Sequence, residues 1–502
     1  MAGRDLVLAV DQGTSSTKCL VVDRAGRVVA SASAPLGEHC PHPGWVEQDP
    51  ALIWQSVREA AAGALNGVEV ARIACVGLST QRESLLLWDR ASGEAVSPLI
   101  SWQDQRTGDL ARAMGTPETR ARVRALSGLP LDPMFSALKA RWLLDRHDPD
   151  RKRAEAGALV LGTVDSWLLS RLGGEPVIEI GNASRTQLME TGRAAWSPEL
   201  LALFGVPEAA LPELVASTGP FPSARGLAPL PDGVPVTAVM GDSHAALFGH
   251  GAHRPGTVKA TYGTGSSVMG LIGATDGPMD PGTCLTIGWQ IAGEPPAYAA
   301  EGNIRSSGAT LRWLESVFGE PIETLVAEAV ANASNGVHLV PAFNGLGAPH
   351  WDDSAAAVLS GFRLGTPRGA ILRAGLESIP HQIADVVESV ERTTGRPIET
   401  LFADGGAAAN SALMQLQADL AGIAVRRSPV VGLSAIGAAH MAALGAGLID
   451  RAELDDLPRD GDLFSPRLDA GERRTARAGW RHAVARSRMP APSHADAARA
   501  AN

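Results

Sequence analysis

The chain has no long apolar run. Nothing in it approaches the ~20 consecutive apolar residues of a membrane span, and the stretch before Asp11, residues 6–10, is too short for a signal peptide. Cysteine is scarce. The four present, Cys19, Cys40, Cys75 and Cys284, form no Cys-x-x-Cys pair, so neither a zinc site nor a disulfide framework is indicated. A reducing cytoplasm is the expected setting. Excess positive charge is also missing: the net charge of −10 argues against nucleic acid or an anionic membrane as a bulk partner. It does not argue against a nucleotide, whose phosphates sense only local fields. Two common phosphate motifs are absent, the Gly-x-Gly-x-x-Gly that opens a helix and the Gly-x-x-x-x-Gly-Lys-Ser/Thr loop.

At 502 residues the chain exceeds what a single core usually supports, so two large domains are expected. Two short turns stand out within it. Asp11-Gln12-Gly13-Thr14-Ser15-Ser16 and Tyr262-Gly263-Thr264-Gly265-Ser266-Ser267 each lie between apolar, β-branched runs. A strand, a small-residue turn and a second strand present several backbone N–H groups to one point, a concavity that suits a phosphate. Gly13, Gly263 and Gly265 allow close backbone approach, and Thr14, Ser16, Thr264 and Ser266 add hydroxyls. After the first turn the chain reads as a strand to Asp23, turns at Arg24-Ala25-Gly26 and continues as another strand, which is hairpin patterning. The β-hairpin phosphate cradle of the actin-like ATPases is the natural candidate. Two cradles half a chain apart suggest one nucleotide held between two halves of similar design.

The rest of the pattern alternates strands and helices. Asp49-Pro50 reads as an N-cap followed by proline, with Ile53, Val57, Ala61 and Leu65 on one helical face behind it. Strands are expected over 73–79, 84–89, 233–240, 257–261, 267–272 and 401–403, and helices over 136–144, 311–318 and 368–390. Pro380 should kink or divide the last, and Gly422 should stop a helix carrying Leu413, Leu416 and Leu420. The domain change is placed near 248–255, giving domains 1–249 and 250–488. A last helix falls within 466–488 and a frayed tail over 489–502.

Phosphoryl transfer to an alcohol needs held phosphates, a divalent ion, an aligned hydroxyl and a proton acceptor. Asp11, at a strand end before the first cradle, could hold Mg²⁺ through water; the alternative is an Asx-type turn. Asp242 follows a buried strand and precedes a helix, so it reads as an N-cap or as a general base. Gln81-Arg82-Glu83 follows another strand. It is either a solvated turn or a pocket lining in which Arg82 donates to a polyol oxygen and Glu83 accepts from a hydroxyl. Trp102 could wall C–H groups or sit in a core. Gly405-Gly406-Ala407-Ala408-Ala409-Asn410 could let a flat ring lie against backbone, with Asn410 bonding a ring edge or ribose.

Together these motifs resemble the FGGY carbohydrate kinases, and within them the glycerol kinases, from Ala9 to about Arg488. The most specific stretches are Val10-Asp11-Gln12-Gly13-Thr14, Pro43-Gly44-Trp45-Val46-Glu47-Gln48-Asp49-Pro50, Gln81-Arg82-Glu83, Asn182-Ala183-Ser184-Arg185-Thr186 and Thr261-Tyr262-Gly263-Thr264-Gly265. The resemblance implies a fold of class α/β, two actin-like (ribonuclease H-like) ATPase domains around a central cleft, binding ATP, Mg²⁺ and a small polyol or sugar. It implies Asp242 as catalytic base and Asp11 as the Mg²⁺-associated carboxylate. Gly13, Thr14, Ser15, Gly263 and Thr264 fall in phosphate loops, Gly308 and Arg312 on the nucleotide-side helix, and Gly406 and Asn410 in the adenosine motif. Arg82, Glu83 and Trp102 match polyol contacts. The family's members often dimerise or tetramerise, and no motif here reports an interface.

The departures are informative. Glycerol kinases usually carry Tyr where this chain has Met134, Gln where it has Ser243 and Phe where it has Ser267, three positions that face the polyol in that family. Glycerol kinases also often carry Gln where this chain has Arg312. An unfilled gap of the size left by Ser243 and Ser267 is costly, so water, a repacked neighbour such as His244 or Met269, or a longer substrate should fill it. A four- or five-carbon polyol or ketose is the expected acceptor. The loop with which some glycerol kinases bind a sugar-bisphosphate inhibitor has no counterpart around Arg225-Gly226-Leu227-Ala228, so no such regulation is expected. The rival readings are a chaperone-type ATPase, for which Arg82, Glu83 and Trp102 would have no role, and a catalytically silent sugar-binding protein, against which Asp11 and Asp242 both argue.

Overall fold

A computed structural model describes residues 3–273, 279–430, 432–459 and 461–489. The chain divides into two compact units. The first comprises Met1–His253, Cys284–Ala299 and Gly432–Arg459; the second comprises Arg254–Thr283, Ala300–Val431 and the residues after Arg459. The expected ranges 1–249 and 250–488 take no account of these two returns of the chain to the first unit.

The first unit is built on β1 (Leu6–Gln12), β2 (Ser16–Asp23), β3 (Val28–Pro35), β4 (Ile73–Thr80) and β5 (Val234–Gly241), in the order β3-β2-β1-β4-β5, with the two-residue strand Ser223–Ala224 on the β5 edge. β1 is apolar without alternation and buried over its first five residues, as a strand covered on both faces must be. It pairs antiparallel with β2, from Leu6↔Asp23 to Gln12↔Thr17, and parallel with β4, from Leu6↔Ile73 to Gln12↔Thr80. β5 pairs parallel with β4 and ends at Gly241↔Thr80. The carboxyl ends of β1, β4 and β5 therefore fall on one edge, where open α/β sheets collect their functional groups. Asp11, the segment after Thr80 and Asp242 all emerge there.

Helix Pro50–Leu65 covers the sheet. Asp49 accepts from the Ala51 amide at 2.8 Å, proline opens the first turn, and Ile53, Val57, Ala61 and Leu65 are buried, as their spacing predicts. The other side of the unit is closed by helix Leu433–Gly445, which the chain supplies only after leaving and returning. It packs with almost no separation. A Cβ on Gly437 would lie 1.7 Å from the Ala245 carbonyl oxygen, one on Gly249 2.9 Å from that of Leu433, and one on Gly77 of β4 2.5 Å from that of Ala438.

The second unit repeats the plan. β6 (Thr257–Tyr262) and β7 (Ser266–Leu271) form an antiparallel hairpin, followed by β8 (Ala297–Ile304, of which 300–304 belong to this unit), β9 (Thr400–Asp404), β10 (Ala424–Arg427) and β11 (Asp462–Phe464). The order is β8-β7-β6-β9-β10-β11, with β6, β9 and β10 parallel and β11 antiparallel at the edge. Strand for strand this is the order of the first unit. The short likeness between residues 6–22 and 258–272 is thus the visible part of a repeat that extends through both sheets.

One expectation is corrected in its second half, division at Pro380. Helix Arg368–Thr394 runs undivided through Pro380. Pro380 is buried with most of the residues around it, so packing carries the helix past the missing N–H. The last helix spans Ala470–Ser487; the expected tail lies, from residue 490, outside the described residues. Among the described residues no helix is long and apolar enough to cross a membrane.

Because Gly437 touches backbone rather than a flexible side chain, Gly437→Val should destabilise the first unit by about 3 kcal/mol or more. Urea unfolding followed by circular dichroism should show a lowered midpoint, whereas Gly192→Ala, in open space elsewhere in the same unit, should change it far less.

Candidate active site

Each unit presents one hairpin tip. In the first, the Gly13 amide donates to Ser16 O at 3.0 Å; in the second, the Gly263 amide donates to Gly265 O at 2.9 Å. The amides of Thr14 and Ser15, and those of Thr264 and Gly265, make no hydrogen bond within the protein among the described residues. All four residues are at least partly exposed. Two adjacent unbonded N–H groups on a tight turn are the donor arrangement an anion requires.

The second tip is sealed onto helix Gly308–Phe318, which begins at Gly308 rather than at the expected Leu311. The amides of Gly308 and Ala309 donate to Gly263 O and Thr264 O, both at 3.0 Å. Gly308 is required here, since a Cβ on it would sit 2.6 Å from Gly263 O. Arg312, one turn on, reaches Thr264 Oγ1 at 3.1 Å, adding a fixed positive charge beside the free amides. In the same unit Gly405, at φ +91°, lets the chain pass against Tyr262 backbone and leads into the turn Gly406–Ala409. Asn410 uses its side-chain oxygen as the N-cap of helix Ser411–Ala421, accepting from Leu413 N at 3.0 Å, so only its amide nitrogen remains for a ligand. Arg427, which no motif marks, donates to the Ala409 carbonyl at 2.8 Å and the Ala408 carbonyl at 3.2 Å, clasping this turn from β10.

In the first unit the parallel strand ends bring Asp11, Arg82, Glu83 and Asp242 together. Asp11 accepts from Ser79 Oγ at 2.9 Å, across the β1–β4 register. Burial, with the Asp242 charge adding to it, pushes its carboxyl up to about 6. Asp242 is the first residue of helix Asp242–Gly249 and accepts from the adjacent Ser243 amide; the N-cap is Gly241, without a side-chain cap bond, which corrects the N-cap reading of Asp242. Arg82 Nε stands 3.2 Å from Asp242 Oδ1, with Arg82 buried and Asp242 over a third exposed. Gly241 makes this possible: a Cβ there would lie 2.5 Å from Arg82 Cδ.

Glu83 sits at φ +61°, a conformation that costs a non-glycine residue of order 1–3 kcal/mol. It is held by Arg185 Nε on its carboxylate at 2.7 Å and by Ser136 Oγ on its carbonyl at 2.9 Å. Gln81-Arg82-Glu83 is therefore buried and not a solvated turn. Trp102 is not a core residue: it is half-buried, and its Nε1 donates to Thr14 Oγ1 at 3.0 Å, which steadies the first hairpin tip. Met134 follows a tight turn in which its amide donates to Asp132, and its carbonyl accepts from Lys139, a fully buried lysine pushed down to about 8 by desolvation. Ser243 lies beside Asp242 in the first unit. Ser267 lies in the second, its hydroxyl donating to the buried Glu301 at 3.0 Å.

Arg185 was visible only as part of a motif. Its placement depends on Glu179, which caps the short helix Ile180–Ala183 through the Asn182 amide at 2.8 Å and accepts from Ser217 Oγ at 2.6 Å.

Both domains of one kinase class match this architecture. The FGGY family of carbohydrate kinases, N-terminal domain, matches residues 6–249, and its C-terminal domain matches residues 258–446. The chain is 43% identical over 495 residues to the glycerol kinase of Aromatoleum aromaticum, covering 96% of this chain and 98% of that protein. Among solved structures it is similar to Plasmodium falciparum glycerol kinase with ADP (TM-score 0.90, 28% identity, 97% and 99% covered). It is also similar to xylulose kinase from Rhodospirillum rubrum (TM-score 0.83, 25% identity, 96% and 98% covered). The fold is a mixed α/β, two-domain kinase fold. The chain belongs to the FGGY family of carbohydrate kinases, and is an ATP-dependent phosphotransferase with an alcohol group of a small polyol or sugar as acceptor.

Burial pushes the Glu179 carboxyl up to about 8, so the folded protein keeps a proton that the unfolded chain loses near pH 4.5. This group's contribution to stability is complete below 4.5 and is lost as pH rises toward 8. Glu179→Gln should remove that loss. Thermal melting from pH 4.5 to 8.5 should show a flatter profile for the variant, its advantage over the parent growing with pH.

Proposed function

We propose that this kinase phosphorylates a terminal hydroxyl of a four- or five-carbon polyol or ketose, with Asp242 as general base. Asp242 takes the proton as the acceptor oxygen attacks the γ-phosphorus and the bond to the β–γ bridging oxygen breaks, leaving ADP. Arg82, Glu83 and Trp102 hold the acceptor. The unbonded amides of Thr14 and Ser15 and of Thr264 and Gly265, with Arg312, bind phosphate oxygens. Gly308, Gly406 and the Asn410 amide serve the nucleotide. Asp11 suits Mg²⁺: among the described residues no group of three ligating side chains exists, and Mg²⁺ is commonly held by one or two carboxylates with nucleotide phosphates completing its shell. The raised carboxyl of Asp11 fits such a cation, whose charge would offset the nearby Asp242. Mg²⁺ there would neutralise charge on the phosphates.

The observation that carries the acceptor size is what surrounds the small residues. His244 and Met269, the neighbours that could have repacked toward Ser243 and Ser267, are fully buried in their own units, and Ser267 is tied to Glu301. The small side chains at 243 and 267, where glycerol kinases usually carry Gln and Phe, favour a longer acceptor. The curated relatives named glycerol kinase favour glycerol itself as the second reading. The four cysteines are all free, which supports a reducing, cytoplasmic setting, and the net charge of −10 supports neither nucleic acid nor a membrane as partner. A homodimer or homotetramer is the expected assembly.

A coupled ADP-release assay with glycerol, erythritol, xylitol and D-xylulose tests the reading; the highest kcat/KM should fall on a four- or five-carbon compound, and a preference for glycerol would overturn the size argument. Asp242→Asn should lower kcat about 10²–10⁴-fold while leaving ADP affinity, by calorimetry, near that of the parent.

A further inference from the structure

We infer that three buried glutamines, Gln12, Gln48 and Gln81, are positioning residues that aim the first hairpin tip at the transferred phosphate. The inference deepens the kinase reading and rests on it for its kinetic consequence.

The three side chains come from separate elements of the first unit. Gln12 ends β1, Gln48 ends the two-residue strand Glu47–Gln48 ahead of helix Pro50–Leu65, and Gln81 follows β4. All three are buried. Gln12 Nε2 lies 2.8 Å from the Gly13 carbonyl oxygen, and Gln48 Nε2 lies 2.6 Å from that of Thr14. Gln81 Nε2 lies 3.2 Å from Gln12 Oε1 and 2.9 Å from Gln48 Oε1. Ser84 Oγ is 2.8 Å from Gln81 Oε1 and 3.0 Å from the Trp102 amide nitrogen.

The direction of every bond in this set is forced. A backbone carbonyl only accepts, so Gln12 and Gln48 turn nitrogen to the hairpin and oxygen to Gln81. Gln81 then uses both hydrogens of its amide on those two oxygens, and its own oxygen accepts from Ser84. The Ser84 hydroxyl hydrogen is committed there, and its lone pair takes the Trp102 N–H. Trp102 closes the circuit through Nε1 to Thr14 Oγ1. Reversing any one glutamine amide would set oxygen against oxygen.

The consequence for the hairpin follows from peptide geometry. In a trans peptide the carbonyl and the next residue's N–H point opposite ways across one plane. Holding the Gly13 and Thr14 carbonyls inward therefore turns the amides of Thr14 and Ser15 outward, and these are the two that make no bond within the protein among the described residues. Arg82 and Glu83 lie between the two anchored residues Gln81 and Ser84. One frame thus sets both the outward amides and the residues assigned to the acceptor, so it acts on the phosphate that moves rather than on those that stay in ADP.

Gln48→Leu removes the bond to Thr14, and Gln48→Glu removes only its donor at almost the same size. In the ADP-release assay, with whichever of glycerol, erythritol, xylitol or D-xylulose the parent turns over, both should lower kcat about 10–100-fold, with ADP affinity by calorimetry within about twofold of the parent. Gln48→His, which keeps an N–H donor at similar reach, should recover most of the loss. Circular dichroism at the assay temperature checks folding, and Gln48→Glu carries the test if Gln48→Leu unfolds. Hydrogen exchange read by mass spectrometry needs no substrate: peptides covering residues 11–18 should exchange about 10-fold faster in Gln48→Glu than in the parent, with those covering 262–268 unchanged. ADP affinity falling by the same factor as kcat, Gln48→His no better than the other two variants, or unchanged exchange over 11–18 would each overturn the inference. A parent that turns over none of these acceptors refutes the substrate reading, and the exchange measurement then decides the glutamine network.

Discussion

The absence of a side chain at Gly241 is the constraint on which the chemistry rests. At the end of β5 the chain must deliver a carboxylate and, in the same few ångströms, admit a guanidinium arriving from the end of β4. Hydrogen in place of a methyl group lets Arg82 lie across the strand end, and the parallel register of β1, β4 and β5 then fixes how far apart Asp11 and Asp242 stand. Ser79, opposite both Asp11 and Met240, bonds the first of these carboxylates.

The two units answer one folding problem twice and use the answers differently. Both place a hairpin beside two parallel strands, and both leave two hairpin amides without a partner in the protein. In the first unit the surroundings are acids, an arginine and an indole that bonds the hairpin threonine. In the second they are a helix N-terminus whose amides are already taken by hairpin carbonyls, an arginine on that helix, and a turn held by Arg427. The backbone supplies generic anion affinity; the side chains added around it divide the labour.

Much of this was legible from local sequence. Gly-Thr-Ser turns between β-branched runs give hairpins because glycine removes the cost of close approach and the flanking residues prefer extended backbone. Asp49-Pro50 gives a helix start for the reasons caps always do. What local pattern does not encode is partnership across the chain. Arg185 bonding Glu83, Trp102 bonding Thr14 and Arg427 clasping Ala408 and Ala409 join residues 18 to 102 positions apart, and nothing in the periodicity around them announces it. Asn410 was readable as a ligand residue, and the structure shows its side-chain oxygen capping a helix, which the local pattern was not read to announce. Pro380 was readable as a break, yet buried packing outweighs one lost hydrogen bond. The returns of the chain at Cys284–Ala299 and Gly432–Arg459 had no signal, because each segment looks like an ordinary strand or helix of whichever half it is written in.

Helix Leu433–Gly445 carries a consequence for biosynthesis. It closes the first unit, contacting β4 at Gly77 and the helix that begins with Asp242, yet the ribosome completes it about 190 residues after the chain first leaves that unit at His253. At ordinary elongation speeds of ~5–20 residues per second, the nascent first unit waits about 10–40 seconds with that face unsealed. For that interval its apolar surface is open to chaperones and to neighbouring nascent chains, and the strand ends that carry Asp11 and Asp242 acquire their final support only once residues 433–445 have been made.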